Sequence, residues 1–217
     1  MRYNYRSGVS KTKNRTKLWW ALPVFGLVIG GYVLINTVSP AISMLNGPVD
    51  ATAKRLTAEK PAFDESRLYV PKLNIDVVVA DIDGDEGAAL ESGAVHRTPE
   101  SGNPLEGGNF VVAAHRFQLG LTPDQTRKQS PFYHIDQMQI GDQIYVDFQG
   151  TRYAYEVSGK KAVDQGATEI EQRTDEHQLT MYSRSPKGPE AGGEVIVAKP
   201  IGTIAWVDGA PKLKPRS

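Results

Sequence analysis

Two hydrophobic periodicities divide the chain. From Leu18 to Val49 no side chain is charged, and "LWWALPVFGLVIGGYVLINTV" (18–38) is apolar almost throughout. Wound as a helix, a run of that length crosses roughly 30 Å of hydrocarbon. It is expected to span a bilayer, although Pro23 and the Gly30-Gly31 pair weaken its helix propensity. Past residue 66 the pattern changes to period two. "RLYVPKLNIDVVVADI" (67–82) predicts two strands and "NFVVAAHR" (109–116) another. "DQIYVDF" (142–148) and "TRYAYEVSG" (151–159) alternate around Gln149-Gly150 and predict a hairpin, with Ile144, Val146 and Phe148 on one face and Tyr153, Tyr155 and Val157 on one face of its partner. "HQLTMYS" (177–183) and "EVIVAKPIGTIAW" (194–206) supply further strands. Short strands with only brief helical pieces imply a mostly β fold, a barrel or a sandwich.

Charge refines this picture. The net charge is zero over 217 residues, yet residues 1–17 carry Arg2, Arg6, Lys11, Lys13, Arg15 and Lys17 and no acid. A cation cluster before an apolar run is the cytoplasmic signal, so the bulk of the chain is expected outside the cytoplasm. Trp19, Trp20 and Tyr32 suit the headgroup zone. The competing reading, a signal peptide cleaved near Ala41-Ile42-Ser43, requires a shorter apolar run. The remainder is net acidic and shows no basic stripe, which argues against nucleic acid as a partner. There is no cysteine, hence no disulfide, thiolate metal site or thiol nucleophile. The expected organisation is a basic cytoplasmic segment (1–17), a transmembrane helix (18–38), a stalk containing Pro40, Gly47, Pro48 and Pro61 (39–65), a β domain (66–205) and a frayed polar tail (206–217).

"LYVPKLNIDVVV", "GAVH", "PLEGGNFVVAAHR", "PFYHIDQMQIGDQIYV", "YAYEV", "LTMYSRSP" and "EVIVA" occur in the order and spacing of the sortases, and over about 66–205 the chain resembles that family. The resemblance implies a membrane-anchored cysteine transpeptidase of the cell envelope. Its fold would be an eight-stranded β-barrel, and its action would be to cleave a sorting motif in a secreted protein and pass the acyl group to an amine. It implies no metal or other cofactor. "GGNFVVAAHR" is similar to the strand bearing the family's histidine and puts that role on His115. "LTMYSRSP" is similar to the strand that ends in the nucleophile, and there Arg184 stands at the cysteine's place. The family's arginine, just before the next apolar strand, falls on Glu194, or on Gly193 if the alignment slips by one.

In such a site the thiolate attacks a peptide carbonyl, the histidine manages the proton and the arginine stabilises the oxyanion. A guanidinium stays protonated and offers only donors, so Arg184 cannot replace the thiol. Ser183 and Ser185 are the nearest hydroxyls, but neighbours along a strand point to opposite faces. If Glu194 holds the arginine's place, Arg184 and Glu194 are expected to form an opposite-charge pair near His115.

Other motifs carry weaker chemistry. His96, in "GAVHR", resembles a groove-side histidine of some sortases, yet it is expected on a surface loop, and His134 and His177 are expected as ordinary structural or surface residues. Asp81, Asp83 and Asp85 have the first spacings of a calcium loop, but Glu86 and Ser92 break the pattern, so a solvated turn is expected. "LEGGN" (105–109) is a glycine turn feeding a strand, since no Gly-Lys-Ser/Thr follows. Three functions fit: a catalytically degenerate sortase that retains a peptide groove or interaction surface, a variant sequence of an active transpeptidase, and a membrane-tethered scaffold. Loops 117–131 and 160–177 are where recognition is expected.

Overall fold

The alternating segments form strands in the computed structural model, which describes residues 21–46, 50–82, 89–90, 93–164, 167–184 and 192–216, the side chains of 42–46, 50 and 184 excepted. In chain order the strands are β1 (Arg67–Val70), β2 (Ile75–Asp81), β3 (Ala94–His96), β4 (Gly102–Asn103), β5 (Gly107–Ala114), β6 (Gln143–Phe148), β7 (Thr151–Val163), β8 (Gln178–Arg184), β9 (Gly193–Val207) and β10 (Ala210–Pro215). Eight of them close a barrel in the order β9-β7-β6-β1-β2-β3-β5-β8, with β8 returning to β9. Pairs β2–β3 and β5–β8 are parallel. Closure removes the open edges that a flat sheet would leave for aggregation.

The predicted alternation fills the barrel. Leu68, Val70, Phe110, Val112, Ala114, Ile144, Val146, Leu179, Met181, Ile196 and Ala198 all belong to one buried cluster. Each large aliphatic or aromatic side chain withdrawn in this way is worth about 1.5–3 kcal/mol. The β6–β7 hairpin turns at Gln149 and Gly150, both at positive φ (47° and 74°), the combination whose twist matches a two-residue hairpin.

The contacts divide the chain into two units, Met1–Ile35 and Asn36–Ser217. Helix α1 (Ala21–Asn46) contains one stretch, Ala21–Ala41, long and apolar enough to cross a membrane. In the first unit Leu22, Phe25, Leu27 and Val28 are exposed, as a lipid-facing helix requires. In the second, Pro40 interrupts the helical ladder because it has no N–H for the carbonyl of Asn36. The hydroxyl of Ser39 donates to that carbonyl instead, at 2.9 Å.

Three expectations are corrected. The stalk is not an irregular linker, since α1 runs on to Asn46 and residues 50–58 form a helix, α2 (Asp50–Ala58), with Thr52 and Leu56 buried. α2 is held by Arg152, 1% exposed, whose Nη1 donates to the Leu56 carbonyl at 2.5 Å. That carbonyl lies in the last turn of α2, where no intrahelical donor remains and a cation suits the helix dipole. Asp147 takes the same guanidinium through two bonds of 2.6 and 2.7 Å, and the rings of Tyr69 and Trp206 flank it at 5.0 and 5.2 Å. Burial, with Asp147 adding to it, pushes the Tyr69 phenol up to about 12. Second, the tail is not frayed: residues 210–215 are β10, paired along β9 from Ala210↔Val207 to Pro215↔Gly202. Third, His96 is not on a surface loop. It closes β3, is 4% exposed, and sets Nδ1 3.1 Å from Asp81 Oδ1 and Nε2 3.0 Å from the Gly102 carbonyl.

Candidate functional site

The strands on which the sequence places its candidate residues are neighbours in the barrel. β5 and β8 run parallel with Ala113 beside Tyr182, and β8 and β9 run antiparallel with Tyr182↔Val195, Ser183↔Glu194 and Arg184↔Gly193. Carried two residues beyond its last pair, the β5–β8 register brings His115 level with Arg184. Residues 110, 112, 114, 179, 181, 196 and 198 face the core. The opposite parity therefore puts 115, 184 and 193 on the outer face, across three adjacent strands.

In the β8–β9 register Arg184 and Glu194 do not stand directly opposite each other. Arg184 faces Gly193 across the ladder, whereas Glu194 faces Ser183, and adjacent strand residues project to opposite sides. The residue opposite the end of β8 is thus the glycine of the slipped alignment. The side chain of Arg184 lies outside the described residues. Ser183 has 0% exposure and shares the parity of Leu179 and Met181, so it turns away from the face that carries 184. Ser185 lies outside the described residues.

Tyr182 was not singled out by the sequence pattern, yet it shapes this face. A β-carbon built on Gly193 would stand 2.6 Å from Tyr182 Cε2 and 2.7 Å from the Ser183 carbonyl oxygen. Such distances lie inside van der Waals contact, so the half-buried tyrosine ring occupies the room that a side chain at 193 would need.

The two loops where recognition is expected are tied down by polar contacts. After β5, the carbonyl of His115 accepts from Phe132 N–H at 3.2 Å and Ser130 Oγ accepts from Gln118 N–H at 3.0 Å. Between them lies a short helix, α3 (Pro123–Lys128), capped by Thr122 Oγ1, which accepts from Gln125 N–H. Arg116 pairs with Asp136 at 2.7 Å, and with Phe117, Tyr133, His134 and Thr37 it lines a recess next to His115 in sequence. His134 itself places Nδ1 3.0 Å from Gln137 Nε2.

On the other side, Asn109 is 1% exposed and holds the segment before β8. Its Nδ2 donates to the carbonyls of Ile170 and Gln172 at 2.8 and 2.9 Å, while its Oδ1 accepts from Thr180 Oγ1 at 2.6 Å. Ser101 Oγ donates to the Glu171 carbonyl, and Arg97 pairs with the Glu171 carboxylate. The signal for Asn109 is a lone amide at an outward position that opens an apolar strand. A buried amide survives there only with its donors and acceptor satisfied.

For metals, no group of three or more His, Cys, Asp or Glu side chains comes together among the described residues. Asp83, Asp85 and Glu86 of the acidic run lie outside them.

A sortase domain model matches residues 68–199, more than half of the chain, and the chain belongs to the sortase family. Sortase A of Listeria monocytogenes superposes with a TM-score of 0.52 at 20% identity, covering 69% of this chain and 90% of that one. Sortase C1 of Streptococcus agalactiae, solved in complex with MTSET, gives a TM-score of 0.54 at 19% identity, covering 86% and 92%. The lid mutant of Corynebacterium diphtheriae sortase A gives 0.52 at 21%, covering 83% and 95%. At these identities the likeness is one of fold, the closed eight-stranded barrel. No curated protein sequence matches the chain.

Proposed function

We propose that this chain is a catalytically degenerate sortase, anchored by α1 with its barrel on the outer side of the membrane, that binds an extended peptide without cleaving it. The observation that carries the reading is the register of the three adjacent strands. His115 holds the family histidine's place, and Arg184 and Gly193 face each other where the resemblance puts the cysteine and the arginine. With no cysteine in the chain, neither the nucleophile nor the oxyanion donor is present, and His115 has no thiol to deprotonate. What the arrangement retains is a floor: the outer face of β8 and β9, the ring of Tyr182, and flanking loops fixed by Asn109 on one side and Ser130 on the other.

The test is fluorescence anisotropy of labelled sorting-type peptides on the full chain in maltoside detergent. Saturable binding that weakens in Tyr182→Ala supports a retained groove. Absence of saturable binding across the peptide panel contradicts it and leaves a scaffold with no peptide ligand.

A further inference from the structure

At the end of the barrel away from His115, the turn after β4 together with β7, β9 and β10 surrounds a pocket. β5 enters the barrel there at Gly107, eight residues before His115, a distance of about 26 Å along an extended strand. The pocket is lined by Pro104, Leu105, Tyr153, His177, Pro200, Gly202, Thr203, Lys214, Pro215 and Arg216, with a volume of about 320 Å³. Among the described residues its ionisable lining is nitrogenous, apart from the phenol of Tyr153, and contains no carboxylate.

Two glycines make the cationic cluster possible. Gly107 and Gly108 both sit at positive φ (85° and 81°). A β-carbon on Gly107 would fall 2.0 Å from His177 Nε2, so the imidazole lies in the space that a side chain would fill. A β-carbon on Gly108 would fall 3.1 Å from Arg173 Nη1, so that guanidinium covers the next residue. Arg216 is fixed from the other side, because its N–H donates to the Ile201 carbonyl at 3.1 Å and continues the β10–β9 ladder. Among the described residues no carboxylate pairs with Arg173, Lys214 or Arg216, and the nearby Glu176 is taken by Lys199 at 2.8 Å. Partial burial, then the charges of Arg216 and Arg173, hold the His177 imidazole below its ordinary value. Like charges brought together on a fold without a neutralising acid repel each other, and an anion relieves that repulsion.

We propose that this pocket binds a phosphate group, with the lining Lys214 and Arg216 as donors, Arg173, which lies over Gly108 outside the lining, adding its charge, and His177 as a further contact when protonated. A guanidinium fork and an ammonium match the oxygens of a phosphate, and the walls of proline, leucine and tyrosine accommodate the carbon skeleton that bears it. The group can arrive on a small phosphate or as a phosphodiester of an anionic polymer.

The experiment is a titration of the full chain in maltoside micelles, followed by the His177 ring resonances. One arm uses inorganic phosphate and the other glycerophosphoglycerol, each against a sodium chloride control of equal ionic strength. The expected result is a saturable shift with a rise in the His177 pKa, weakened roughly tenfold or more in Arg173→Gln/Arg216→Gln, as loss of charged hydrogen bonds implies. Both arginines are exposed, so the melting temperature of that variant is expected to match the parent and serves as the folding control. Response to glycerophosphoglycerol supports the proposal and identifies a polymer diester as the source, whereas response to inorganic phosphate alone supports it with a small or terminal phosphate. No saturable shift in either arm, a shift equal to that of chloride, or one unchanged in the double variant overturns it.

Discussion

Under the proposed reading, placing a cysteine and an arginine at 184 and 193 is a demanding perturbation, and its cost can be worked from the backbone. Arg184→Cys alone returns a thiol at the end of β8 but no oxyanion donor, and loss of one such donor costs about 10²–10³ in turnover. Gly193→Arg supplies a donor opposite that thiol. The new β-carbon then meets Tyr182 Cε2 at 2.6 Å and the Ser183 carbonyl oxygen at 2.7 Å. A ring edge can rotate away, but a carbonyl in the β8–β9 ladder moves only if the strands part. Overpacking of this kind costs about 1–3 kcal/mol, or roughly 2–12 °C in Tm for a domain of this size. Arg184→Cys/Gly193→Arg is therefore expected to melt lower than Arg184→Cys. Adding Tyr182→Ala removes the ring contact and is expected to recover part of that loss of stability. The assay is calorimetric melting of the full chain in detergent together with fluorogenic peptide cleavage. Full activity from Arg184→Cys alone, or Gly193→Arg tolerated with no loss of Tm, would refute the placement of 193 and the role of Tyr182.

Three further outcomes are expected. Arg152→Met leaves Asp147 buried without its partner and strips the Leu56 carbonyl, so it should destabilise by about 3–5 kcal/mol, whereas Arg152→Met/Asp147→Leu should recover much of that in thermal melts. His177 has a lowered folded pKa, so the unfolded chain binds the proton more readily. Its contribution is therefore present above the ordinary value of 6.5 and lost as pH falls through 6.5 to the folded value; His177→Gln should flatten that part of the pH–stability profile. Protease added outside intact protoplasts should remove the barrel, and full protection would contradict the outward orientation.

The barrel was legible in the sequence because its strands read as short apolar or alternating runs bounded by turn residues. In β6 every second side chain enters the core, and Gln149-Gly150 could take the two positive φ angles that a tight hairpin needs. The terminal segments were not legible for a shared reason. Residues 50–58 and 210–215 are polar in composition, and what orders them is tertiary: Arg152 capping α2, and the ladder from Ala210 to Pro215 along β9. His96 was misplaced because its burial depends on Asp81 and the Gly102 carbonyl, groups 15 and 6 residues away that only the fold brings to it. At the candidate site the strand order was implied by family resemblance, but the choice between Gly193 and Glu194 is a matter of register. A shift of one residue reverses the face, and no side-chain pattern at the glycine-rich start of β9 fixed it.

The central claim concerns turnover. It is tested most directly by mass spectrometry of the full chain in detergent, incubated with a panel of sorting-type peptides and an amine acceptor, beside a His115→Ala control. The degenerate-site account predicts intact peptides, no acyl adduct on the protein, and no difference between the chain and its control. Cleaved or transferred product that disappears in His115→Ala would contradict it and show that another nucleophile serves the retained histidine.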